Sequence, residues 1–134
     1  MNVLVIDGMG GGIGKSIIEH IKNERGDAVK ITAVGTNSIA TSAMLKAGAD
    51  FGATGENAVV YNCAKADFII GVTGIAFANS MCGEVSPAMA AAVSASPAHK
   101  ILVPIDKCNV TVLGLVEKPV QAYINDIAKR LAKN

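Results

Sequence analysis

Five glycines fall in the seven positions from Gly8 to Gly14, and Lys15 and Ser16 follow directly. The loop is entered from the apolar residues 3–6 through Asp7 and leaves into an amphipathic run with Ile13, Ile17, Ile18 and Ile21 on one stripe. A strand therefore feeds a glycine turn, which feeds a helix. Glycine lets a ligand meet the backbone with no Cβ between them. A helix starting near Gly12 aims its first unbonded N–H groups, and the positive end of its dipole, at whatever lies over the loop. The chemistry on offer is the holding of a phosphate or carboxylate, with Asp7, Gly8, Gly10, Gly11, Gly12, Ile13, Gly14, Lys15 and Ser16 as candidate binding residues. The competing reading is a tight turn that packs closely and holds nothing. Asp7 can take a magnesium ion or a ligand hydroxyl, or it can cap the turn.

Further polar residues fall where other strands end. Thr36, Asn37 and Ser38, with Thr41 and Ser42 behind them, suit a ribose or phosphate, or else a helix cap. Gly71 and Thr73 stand at the end of a third strand and are assigned to ligand contact. Glu56 and Asn57 can form a second lip, and the polar stretch NSMCGE at 79–84 reads as a flap or interface loop. Cys108, after Asp106 and Lys107, is a candidate thiolate. His20 and His99 have no cysteines or acids at metal-ligand spacing, so no metal site is expected.

Two known loop patterns fit the glycine stretch. Residues 8–14, GMGGGIG, resemble the GxxxGIG loop of short-chain dehydrogenase/reductase folds. Residues 11–16, GGIGKS, resemble the end of the loop in deviant P-loop ATPases, which implies Lys15 on a terminal phosphate and Ser16 on magnesium. In that frame Met9 stands for the first glycine and Gly10 for the signature lysine, and Asp106 is the available acid, so the Rossmann-type frame is favoured. Tyr61 and Lys65 spell the reductase family's YxxxK but lie too early in the chain, and a chance match on a helix is expected. The end of the second strand bears no acid to grip an adenosine ribose and no arginine for a 2′-phosphate. NAD(P) or another nucleotide is compatible with the loop without a specific contact favouring either.

The elements that must carry these loops alternate. Apolar runs at 3–6, 31–34, 68–70, 101–105 and 110–115 read as strands. Helices are expected from about 12 to 26, across 40–47 and from 56 to 66. Ser86-Pro87 opens another to about Ala95, and Pro119 opens the last. The segment GADFGATGEN reads as turn. Residues 106–109 are too short for a parallel crossover, so the last two strands are expected to pair as an antiparallel edge hairpin. The expectation is a single Rossmann-like domain over 1–134: a three-layer α/β sandwich on a mostly parallel sheet of about five strands.

Composition narrows the function classes. With 134 residues, 51% hydrophobic, 17% charged and a net charge of +1, the chain is too apolar for disorder and carries no basic field for nucleic acid. Aromatic residues make up 4% and tryptophan is absent, which leaves no stacking platform for single strands. The first apolar run is too short for a secretion signal or a membrane span. Three cysteines, Cys63, Cys82 and Cys108, without a CxxC pair suit a reducing cytoplasm. The surplus of alanine and glycine points to a homo-oligomer.

Four long motifs carry a resemblance over nearly the whole chain: VIDGMGGGIGK, GTNSIATSAMLKAGADFGATGEN, NSMCGEVSP and KILVPIDKCN. They resemble the short bacterial proteins of domain-of-unknown-function family 3842. The resemblance implies a small Rossmann-like fold in a bacterial cytosol and brings no catalytic residues with it. From the residues themselves, the expected activity is binding of a small phosphate-bearing ligand, a nucleotide or dinucleotide, at the loop 8–16. A P-loop-type enzyme using Lys15 and Ser16, or a structural subunit without ligand, are the alternatives.

Overall fold

The computed structural model describes residues 1–105 and 109–131. Asp106 and Cys108 lie outside the described residues, so the acid and thiolate read there are not placed. Five strands form one sheet: β1 (Asn2–Asp7), β2 (Lys30–Gly35), β3 (Phe51–Thr54), β4 (Phe68–Val72) and β5 (His99–Val103). Their order is β3-β2-β1-β4-β5, and every pairing is parallel. This is the strand order of doubly wound nucleotide-binding folds.

Helices cover both faces, which is why the central strands read as unbroken apolar runs. Val3 and Val5 of β1 pack beneath α1 (Gly12–Arg25), α2 (Ser38–Lys46) and the paired α5 (Val120–Asn125) and α6 (Ile127–Leu131), through Ile17, Ile18, Ile21, Met44, Ile124 and Leu131. Leu4 and Ile6 face α3 (Glu56–Cys63) and α4 (Pro87–Ala95), through Val59, Cys63, Met89 and Val93. Alternate residues of one strand thus feed two cores. The helix starts follow their local signals. Asn37 accepts a hydrogen bond from Ala40 N, and Ser86, ahead of Pro87, accepts one from Met89 N.

Two expectations are corrected. The antiparallel hairpin at 101–115 is not formed. Pro104 offers no N–H, and Ile105 N–H donates to Val103 O at 2.9 Å, so a tight turn carries the chain out of the sheet at Val103. Residues 110–119 run outside as a connection that turns at Gly114 (φ 81°), with Leu113 91% exposed. The fifth strand is instead β3, in the segment read as a turn. Its four residues are mostly exposed at the sheet edge, and the glycines around it hid its period. A methyl group on Gly52 would lie 2.7 Å from Leu45, so glycine is what lets α2 lie directly over this strand. Among the described residues no helix is long and apolar enough to cross a membrane.

Candidate functional site

β1 and β4 are neighbours, but the chain leaving β1 crosses to β2 on the other side, so their C-terminal ends splay and leave a gap. A cavity of about 460 Å³ fills that gap, lined by residues 7–13 of the glycine loop with Val72, Gly74, Met81, Cys82 and Ile105.

The loop is built on Asp7. Asp7 is 5% exposed, and its carboxylate lies beneath the turn, where Oδ1 accepts from Gly8 N at 2.8 Å and Oδ2 from Gly14 N at 2.7 Å. Burial raises its carboxyl above the ordinary range; the two N–H groups oppose that, and the Glu84 charge adds to it. Of the two roles open to Asp7, capping the turn is the one its oxygens perform. Gly11 N–H closes the turn on Gly8 O at 2.9 Å, with Gly11 itself left-handed at φ 76°. A Cβ there would meet the Ala40 backbone at 2.8 Å.

The five glycines separate into two kinds. Gly8, Gly11 and Gly14 are closely packed: a methyl on Gly14 would lie 2.6 Å from Met44 Sδ and 2.9 Å from Asp7 Cβ. Gly10 and Gly12 have nothing within 4 Å of an added Cβ, and neither has a positive φ. Both line the cavity, and the N–H groups of Gly10, Gly12 and Ile13 make no hydrogen bond among the described residues. Packing accounts for three glycines. It does not account for these two.

Thr36 and Asn37 are engaged elsewhere. Glu84 reaches across from the 77–86 loop, and its Oε1 accepts from Thr36 Oγ1 at 2.5 Å, Met9 N at 2.8 Å and Asn37 Nδ2 at 3.1 Å. The Thr36 hydroxyl, then the Met9 N–H, then Asn37 hold its carboxyl below the ordinary range. A depressed folded pKa contributes stability that is present above the unfolded value, 4.5, and is lost as pH falls through the folded one. Glu84→Gln is therefore expected to cost about 1 kcal/mol at pH 7, discounted for partial exposure, and less at about pH 3. Urea unfolding at the two pH values reads the difference; an equal cost at both would remove the charge from the account.

Other expected site residues disperse. Lys15 is exposed and lines a separate groove between α1 and α2 with Glu19, Ser38, Ser42 and Lys46. Ser16 does not line the cavity. Lys15, like Ser16, is thus absent from the lining of the cavity over the glycine loop. Gly71 is packed inside the sheet, where a Cβ would meet Ile6 O at 2.7 Å. Thr73 donates to Val103 O at 3.2 Å and faces a different cavity, beneath residues 110–120. Tyr61 and Lys65 bond each other at 2.5 Å on the exposed end of α3. Glu56 accepts from Ser86 Oγ at 2.5 Å, tying the start of α3 to α4. Cys63 is a core thiol, pushed up by burial to about 11.

Sequence reading missed Val72, Gly74, Met81, Cys82 and Ile105 as lining residues and Glu84 as a bridge. The 79–84 motif was the available signal for the last. Among the described residues, the titratable side chains facing the cavity are Asp7, already committed, and Cys82. The arrangement offers, among the described residues, backbone donors beside an apolar wall.

Comparison with known proteins gives three results. No curated protein matches the chain. A solved dodecameric FMN-dependent UbiX-like decarboxylase from Escherichia coli O157:H7 aligns at 14% identity and TM-score 0.46, covering 98% of this chain and 76% of its own. The family described as "Domain of unknown function (DUF3842)" matches residues 2–134. The motifs singled out in the sequence and this match across essentially its whole length agree: the chain belongs to the DUF3842 family.

Proposed function

We propose that this protein binds a nucleotide through its phosphate at the N-terminus of α1, in the cavity between the ends of β1 and β4. The observation that carries the reading is the pair Gly10 and Gly12. Neither is required by backbone conformation or by packing, and both open onto the cavity beside unbonded N–H groups. The strand order supports the Rossmann-type frame over the P-loop frame, and so does the position of Lys15 in another groove. The apolar wall of Val72, Met81 and Ile105 suits the flat face of a base or ring. Binding without turnover, as in a carrier or sensor, fits a lining with few titratable groups among the described residues.

Self-association belongs to the same reading. The connection at 110–119 exposes Val112, Leu113, Leu115 and Val116 together, a surface that suits a second copy. Native mass spectrometry of the protein purified without added ligand reads both the subunit count and any retained mass. Thermal unfolding with mononucleotides, NAD, NADP or ATP-magnesium at a hundred times the dissociation constant should then show stabilisation of about 2.7 kcal/mol for the true ligand. No retained mass and no shift with any of them would remove the reading.

A further inference from the structure

We propose that the 77–86 loop makes the site selective for ligands with one nucleotide half, excluding the adenosine half of a dinucleotide. This inference rests on the nucleotide reading above and names its ligand class. In the doubly wound fold a dinucleotide crosses the glycine loop and lays one ribose at the end of β2. Here that path runs over Gly8 to Thr36, and protein side chains fill it. A methyl group on Gly8 would lie 2.5 Å from Thr36 Oγ1, 2.7 Å from Met81 Sδ and 2.8 Å from Glu84 Oε1. The donors that could meet ribose hydroxyls at that end, Thr36 Oγ1 and Asn37 Nδ2, converge with Met9 N on one oxygen of Glu84. Glu84 stands where the ligand's ribose would be held. The free cavity lies wholly on the other side of the loop, toward β4.

The loop is fastened in this position. Val85 is buried, Asn79 N–H donates to Val85 O at 2.7 Å, and Ser80 Oγ donates to Gly74 O. Met81, Cys82 and Gly83 are left-handed in succession, with φ of 56°, 56° and 89°. That conformation is unfavourable for the first two, so the contacts of Glu84 and Val85 hold the turn against its own preference. A dinucleotide must therefore displace Glu84 first, and its apparent affinity falls by the fraction of molecules in which the path is open. A mononucleotide seated toward β4 carries no such penalty.

The test measures affinities of AMP, NMN, FMN and NAD by titration calorimetry for wild type, Glu84→Ala and Glu84→Gln, with circular dichroism to verify folding. Wild type should bind at least one mononucleotide at least about tenfold more tightly than NAD. Glu84→Ala frees Thr36 Oγ1 and Met9 N–H, while Asn37 Nδ2 keeps its bond to Met9 O at 2.9 Å, and should raise the NAD-to-mononucleotide affinity ratio by about tenfold. Glu84→Gln keeps an oxygen for those donors and should resemble wild type. Wild type binding NAD as tightly as any mononucleotide, or a folded Glu84→Ala with an unchanged ratio, would overturn the selectivity while leaving the nucleotide site standing. Should Glu84→Ala not fold, Glu84→Asp, whose shorter side chain draws the carboxylate back from Thr36 and Asn37 and which does not line the cavity, reads the same ratio. No binding of any of the four by wild type or variants would overturn the inference together with the site it depends on.

Discussion

Asp7→Ala is expected to destabilise the protein by about 3 kcal/mol, because it leaves the buried N–H groups of Gly8 and Gly14 without their acceptor. Against the total stability of an ordinary domain, about 5–15 kcal/mol, that is a large share. Asp7→Asn keeps one acceptor but turns an NH2 toward the second N–H, so it should cost less than alanine and more than nothing. The pH dependence has a definite sign. A carboxyl whose folded pKa is raised contributes stability that is fully present below its unfolded value, 3.8, and is lost as pH rises through the folded one. Asparagine has no such titration, so the gap between wild type and Asp7→Asn should widen as pH falls from 7 toward 3. Denaturant unfolding across that range checks both statements. A gap that narrowed would mean that hydrogen bonding to the carboxylate outweighs its burial. An alanine cost near zero would mean that Asp7 does not hold the turn.

The position of Asp7 explains why the glycine loop was legible in outline and ambiguous in detail. From sequence, an acid closing the first strand is equally a ligand group and a cap, because nothing local says where Gly14 N–H will come to lie. Seven residues of turn bring it back to 2.7 Å from Oδ2, a tertiary fact. The same holds for the P-loop frame. GGIGKS is a sound local match, yet the rotation of α1 on the sheet puts Gly14 inward against Met44 and Lys15 outward beside α2. The central strands were readable because burial on both faces makes each an apolar run. β3 was not, since an edge strand carrying a glycine and small residues shows neither a run nor an alternation. The reverse error came at 110–115, where an apolar stretch suggested a strand with no neighbour to pair with; Pro104 had already taken the chain from the sheet. Glu84 was the hardest to foresee. Its partners are 75, 48 and 47 positions away in sequence, and only the folding of the 77–86 loop over Gly8 brings the carboxylate to the end of β2.

The glycines of one loop should answer alanine in opposite ways. At Gly14 the new methyl would collide with Met44 Sδ at 2.6 Å and with Asp7 Cβ at 2.9 Å. Met44 can shift, but Asp7 is fixed by both of its hydrogen bonds, so Gly14→Ala should cost about 2–3 kcal/mol. At Gly12 the methyl meets nothing within 4 Å, and the residue is the first of α1. Losing glycine's freedom in the unfolded chain should leave stability unchanged or raise it by about 0.4–1 kcal/mol. The same methyl stands in the cavity beside the N–H groups proposed to hold the phosphate, so ligand affinity should fall by at least about tenfold. Thermal melts and ligand titrations on the two variants separate packing from binding within one turn of helix. If Gly12→Ala bound ligand as wild type does, the phosphate would not lie on this loop. If it lost stability as Gly14→Ala does, the open space beside it would be filled by the protein itself, and Gly12 would join the glycines that serve packing alone.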